Sequence, residues 1–184
     1  MTALIFCAFM YYVNTQIYWY TSRAAAASLH ANWAEGRRQA DGTLEPLIKI
    51  AEGIGYDIAN LPFDKLPKDF QTANLKSTSF ALQHIEETRA QGGDIESDEW
   101  LELASAKQHE YWMAQNSFCS DPLIMCPYNQ LADVHKKNDR IVVTIARREF
   151  MENRKQYLHR QKCIISSWVY SLSDWSNEHL ACTR

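Results

Sequence analysis

His30-Ala31-Asn32-Trp33 and His109-Glu110-Tyr111-Trp112 are two statements of one pattern, His-x-x-Trp, and the repetition decides how the rest of the chain is read. Downstream of the first lies Leu61-Pro62-Phe63-Asp64-Lys65-Leu66, and downstream of the second Cys126-Pro127-Tyr128-Asn129-Gln130-Leu131. Twelve residues past each proline stands a short acid or amide, Asn74 and then Asp139. A duplication sets the architecture before any local preference is weighed. Two similar halves are expected to pack about a pseudo-two-fold axis, with their junction as the natural place for a ligand.

The segments between the blocks read mostly as helix. Ala24 to Arg38 begins with strong helix formers and carries Leu29 and Trp33 on an apolar face, with Asp41-Gly42 as its stop. Glu45 to Gly53 is expected to be a short amphipathic helix, broken at Gly53 and Gly55. Leu61 is held extended by Pro62, and a helix is expected from about Lys68 to Ala90, with Phe70, Leu75, Phe80, Leu82 and Ile85 inward. Gln91-Gly92-Gly93-Asp94 is the midpoint loop, and Ser97 caps a helix from Asp98 to about Asn116. Cys119 to Pro127 reads as irregular. Ala132 to about Lys162 reads as a long helix, with Val134, Ile141, Val142, Ile145 and Phe150 on its apolar side. The class is mainly α, with at most short strands near the proline blocks.

These blocks resemble the ryanodine-receptor repeat (RyR) domain, in the order His-x-x-Trp-Ala, apolar-Pro-aromatic-x-x-Leu-Pro, then Asn or Asp-Arg. The first copy offers Trp33-Ala34-Glu35-Gly36-Arg37 and Leu61 to Pro67; the second offers Cys126-Pro127-Tyr128 and Asn138-Asp139-Arg140. The second copy departs at Asn116, where the first has Arg37, and at Ala132, where the first has Pro67; the first has Leu75 where the second has Arg140. The division is therefore residues 1–23 as a hydrophobic aromatic segment, 24–93 and 94–152 as the two repeats, and 153–184 as a helical extension. The resemblance implies adenine-nucleotide binding between paired repeats, and occurrence in bacterial and phage proteins linked to nucleotide signalling.

Composition narrows the alternatives. Of the 184 residues 46% are hydrophobic and 22% charged, as in ordinary globular chains. A net charge of −3 supplies no general field for nucleic acid, and no nucleic-acid partner is expected. The basic residues from Arg147 to Lys162 alternate with Glu149 and Glu152, as on a solvated helix face. Five cysteines without a Cys-x-x-Cys pair favour reduced thiols over a zinc site or disulfide scaffold. Residues 3–20 are apolar and aromatic but interrupted by Asn14-Thr15-Gln16, which favours a buried or dimerising segment over a membrane anchor. A cytoplasmic location is the expectation. No metal site or cofactor is expected, and no nucleophile stands beside a base in a recognisable motif, so an enzyme is not expected.

Trp33 and Trp112 are the leading candidates for ligand contact, as indoles able to stack on a planar ring. Their alternative role is one core tryptophan per half. Arg37, four residues after Trp33, could neutralise a phosphate, with Arg140 compensating for Asn116 in the second half. His30 and His109, one turn before the tryptophans, are candidates mainly as hydrogen-bonders on the helix face. Asn74 and Asp139 are read as satisfying loop backbone or a helix end, with ligand contact as the second reading. Two functions follow: non-catalytic sensing or sequestration of an adenine nucleotide or nucleotide-derived messenger, and a structural scaffold that forms homo-oligomers or docks on a protein partner through its hydrophobic termini.

Overall fold

The computed structural model describes residues 20–117 and 119–155. Two compact units are distinguished, Met1–Phe150 and Met151–Arg184, and the fold set out here belongs to the first. It is mainly helical. The expectations placed on residues 3–19 and 156–184 lie outside the described residues.

Residues 20–35 form the first helix, α1. Ala25 and Ala26 are fully buried, so this helix meets its neighbours through its smallest side chains. It ends three residues earlier than the sequence suggests. Gly36 and Arg37 form a turn in which the Arg37 amide donates to Ala34 O. Asp41-Gly42 therefore belongs to the following turn and does not terminate the helix.

The expected helix over Glu45 to Gly53 is instead a β-hairpin. β1 (Ile48–Ala51) pairs antiparallel with β2 (Ile54–Asp57), with Ile48 opposite Asp57 and Ala51 opposite Ile54. The reason is in the turn. Glu52 and Gly53 both have positive φ, 52° and 77°, the two-residue geometry whose twist matches that of paired strands. With β-branched Ile48, Ile50 and Ile54 around it, this outweighs a short amphipathic period. Leu47 and Tyr56 of the hairpin region pack on a cluster of Ala26, Ile58, Phe63 and Leu66.

Phe63–Lys65 is a single 3-10 turn, and it leads into α2 (Lys68–Ala90). Within α2, Leu82 and Ile85 are buried as expected, whereas Phe70, Leu75 and Phe80 are half-buried. α3 (Asp98–Gln115) starts as anticipated, with the Trp100 amide donating to Ser97 Oγ. A second 3-10 turn, Tyr128–Gln130, precedes a helix, α4, over residues 133–155. Its buried face is Val143, Ile145 and Ala146; Val134, expected on the apolar side, is exposed.

α2 and α3 form an antiparallel αα-hairpin that joins the halves. Near its turn the Trp100 indole N–H donates to Thr88 Oγ1 at 3.0 Å. At the far end Gln108 Nε2 donates to Ser77 Oγ, and Phe80 stacks on Tyr111 at 4.2 Å. Across the other sides, Ser28 of α1 donates to Glu149 of α4, and Arg147 of α4 donates to Ile95 O before α3. Buried positions fall in matched pairs in the two halves, 79 residues apart in the first helices (Ala25 with Ala104, Ala26 with Ser105) and 65 apart after the prolines (Leu66 with Leu131, Thr78 with Val143, Ala81 with Ala146).

Thr88→Val keeps the shape of this junction but leaves the Trp100 indole N–H without its acceptor. An unsatisfied donor in a buried site costs about 1–3 kcal/mol. A urea titration is expected to show a lower midpoint with an unchanged slope.

Candidate functional site

Each half uses its histidine in the same way. The 3-10 turns after the prolines close internally: Lys65 N donates to Pro62 O and Leu66 N to Phe63 O, and Gln130 N to Pro127 O and Leu131 N to Tyr128 O. The carbonyl just before each proline is left over from this arrangement, and a sequestered backbone acceptor needs a donor. His30 Nε2 donates to Leu61 O at 2.8 Å, and His109 Nε2 donates to Cys126 O at 2.9 Å. The imidazole in turn lies stacked on the tryptophan one turn later, at 5.6 Å for His30–Trp33 and 6.0 Å for His109–Trp112. Both histidines are buried.

The halves differ on the other ring nitrogen. His109 Nδ1 lies 3.2 Å from Asp139 Oδ2, and the two side chains are 4% and 12% exposed. Nε2 donates to a carbonyl, so Nδ1 is the ring nitrogen that faces the carboxylate. Burial pushes the Asp139 carboxyl up to about 6, against the opposing pull of His109. In the first half the matching residue is Asn74, which donates to Phe70 O within α2. Asp139 and Asn74 therefore sit inside helices and not at a loop or helix end as the sequence suggested.

The arginines proposed for phosphate are engaged. Arg37 donates to both the backbone carbonyl and the carboxylate of Glu45. Arg140 bridges Glu102 and Asp133, and its hydrogen bond holds the Glu102 carboxyl below its usual range. Glu102 also accepts from the Tyr128 hydroxyl at 3.0 Å.

A cleft of about 470 Å³ opens between α1, α2 and α3. Of the candidate residues, Trp112 and Asn74 line it; Trp33, Arg37, His30, His109, Asp139 and Arg140 do not. The tryptophans also differ in their neighbours, and Trp33 is the more exposed of the two. Trp33 carries the Arg37 guanidinium over its ring at 5.7 Å. At the matching place in the second half stands Asn116, which donates to Trp112 O at the helix end. Among the described residues no cation covers Trp112, and Asn116 lines the cleft beside it. Sequence reasoning passed over Tyr111, Gln115, Thr72 and Lys76, which complete this wall. The readable signal was their spacing: Tyr111 with Gln115 and Thr72 with Lys76 are one turn apart on facing helices.

Among the described residues no group of three metal-ligating side chains is gathered, and no helix is long and apolar enough to cross a membrane. Cys119 and Cys126 are free, half-buried thiols. Comparison with protein-family models, curated proteins and solved structures finds no match for the chain.

Two outcomes follow from the latch. His109→Ala strands both Asp139 and Cys126 O, and breaking a buried pair on one side costs about 3–5 kcal/mol. His30→Ala orphans only Leu61 O and is expected to cost about 1–3 kcal/mol; thermal denaturation of the two variants measures the difference. Asp139 binds its proton more tightly in the folded chain, at about 6, than at the ordinary carboxylate value of 3.8. Folding therefore takes up a proton between these values, and this contribution to stability is lost as pH rises through about 6. Asp139→Asn, the residue the first half already carries, is expected to flatten that slope when unfolding is compared at about pH 4 and about pH 7.

Proposed function

We propose that this chain is an RyR-type tandem module that binds a nucleotide-like small molecule without transforming it. The ligand class is an adenine nucleotide or a nucleotide-derived messenger of the cyclic ADP-ribose type, sensed or sequestered in the cytoplasm. The observation that carries the reading is the cleft between α1, α2 and α3, with the Trp112 indole open to it. Its volume, about 470 Å³, falls within the range of small-molecule sites. Stacking on an indole contributes about 1–3 kcal/mol per base. The family resemblance supports the ligand class, and the place of Trp112 alone on the cleft wall moves the expected contact from a pair of tryptophans to one.

Binding without chemistry fits the side chains at hand. His109 has a carboxylate partner, but its Nε2 is committed to a backbone carbonyl and cannot serve as a base towards a ligand. A second reading, an interaction module, is favoured by the exposed isoleucines of the hairpin, Ile48, Ile50 and Ile54. Light scattering of the wild type and of Ile50→Lys separates it, because an oligomer that dissociates on substitution belongs to that reading.

The test of the main proposal is a thermal-shift series with ATP, ADP, AMP, cyclic AMP, cyclic dinucleotides, ADP-ribose and cyclic ADP-ribose. A ligand at 100 times its Kd stabilises the fold by about 2.7 kcal/mol. One compound is expected to raise Tm. Trp112→Leu should abolish the shift and Trp33→Leu should leave it. The absence of any shift across the series removes the nucleotide reading.

A further inference from the structure

We propose that Ser77 is the polar contact that orients a ligand in the cleft, and that the buried Gln108 is the residue that positions it. The inference rests on the binding function proposed above and names the pair that would fix how a ring stacked on Trp112 is turned.

Ser77 of α2 lines the cleft, and its Oγ accepts from Gln108 Nε2 of α3 at 2.9 Å. Other hydroxyls of these helices are engaged differently. Thr78, Thr88 and Ser105 each donate to the carbonyl four residues back in their own helix. Among the described residues the Ser77 hydroxyl makes no such bond. Gln108 takes the place of the helix backbone as its partner, and does so from the core, with 2% of its surface exposed. Trp112 follows Gln108 by one turn of α3, on the same helix face. Stacking holds a planar ring whatever its substituents, and leaves it free to turn in its own plane. A hydroxyl held at a fixed place in the same cleft removes that freedom, which is the part the few polar groups of such sites play.

The pair is kept at a cost in stability. Gln108 Oε1 is buried without a partner among the described residues. Turning the amide round would still tie it to Ser77 and would leave its N–H2 group in that place, so one end is unpaired in either orientation. A buried polar group without a partner destabilises a fold. The architecture does not call for a polar pair here. The spacings of 79 and 65 residues that relate the two halves match Gln108 to Leu29 and Ser77 to Val142, both apolar.

Isothermal titration of the full chain with AMP and with ADP-ribose, beside thermal denaturation without ligand, tests the assignment. Ser77→Ala is expected to weaken binding about tenfold, the scale of one hydrogen bond, with its helical circular dichroism intact. Ser77→Val/Gln108→Leu installs the residue types of the matching positions. It is expected to lose affinity by the same factor while its Tm rises by about 2–4 °C. A double variant that melts no higher than the wild type, or does not fold, marks the pair as structural and overturns the inference. Unchanged binding in Ser77→Ala overturns it as well, and both results leave the nucleotide-binding proposal standing. No binding of either compound by the wild type overturns the inference together with the adenine-nucleotide reading.

Discussion

The hydrogen bond from a helix-borne imidazole to the carbonyl before a proline is the contact around which each half is assembled. It acts over a long stretch of sequence, from His30 to Leu61 and from His109 to Cys126, and fixes where the irregular segment returns to the helix. Once that carbonyl is held, the 3-10 turn follows, Leu66 or Leu131 enters the core, and the next helix starts in a set direction. The tryptophan one turn on packs against the same imidazole, so its ring is placed by the latch as well. The His-x-x-Trp spacing is thus the requirement that one helix face carry both the donor and the ring stacked on it.

Given a shared latch, the halves diverge in charge. The first surrounds its turn with Arg23 and Asp64, the guanidinium lying 5.8 Å from the Phe63 ring. The second has Glu102 at the position matching Arg23, and that carboxylate gathers Tyr128 and Arg140. Both networks are partly exposed, where ion pairs contribute about 0–1 kcal/mol, so they tune the surface more than they stabilise it. The Arg37 and Asn116 difference changes what stands beside each indole: a guanidinium over the exposed Trp33 in one half, an amide next to Trp112 at the cleft in the other.

Much of the fold was legible because it rests on local rules. Pro67 and Ala90 bound α2, Ser97 caps α3, and Gly92 with positive φ turns the chain between them. The β-hairpin was missed because its decisive feature, positive φ at Glu52 as well as Gly53, involves a residue type that seldom adopts it. The site was less legible for a different reason. Periodicity predicts which side chains share a face, but not whether a face is already covered. That Arg37 and Arg140 would be held by Glu45, Glu102 and Asp133 depends on pairings across 8, 38 and 7 residues of chain, which no motif encodes. Asp139 was singled out by its place in the repeat, yet its partner became evident only when α3 and α4 were brought together.

The αα-hairpin of α2 and α3 bears on how the chain comes to be folded at all. It is built from the last helix of the first half and the first helix of the second, and its Thr88–Trp100 contact spans only 12 residues. Short loops close at small entropic cost and contacts of low sequence separation form early. The segment of lowest loop-closure cost therefore straddles the junction of the two halves, while the histidine contacts within each half close loops of 31 and 17 residues. Sequence pattern and chain connectivity thus divide this molecule at different places: the contacts nearest in sequence run from one latched half into the other.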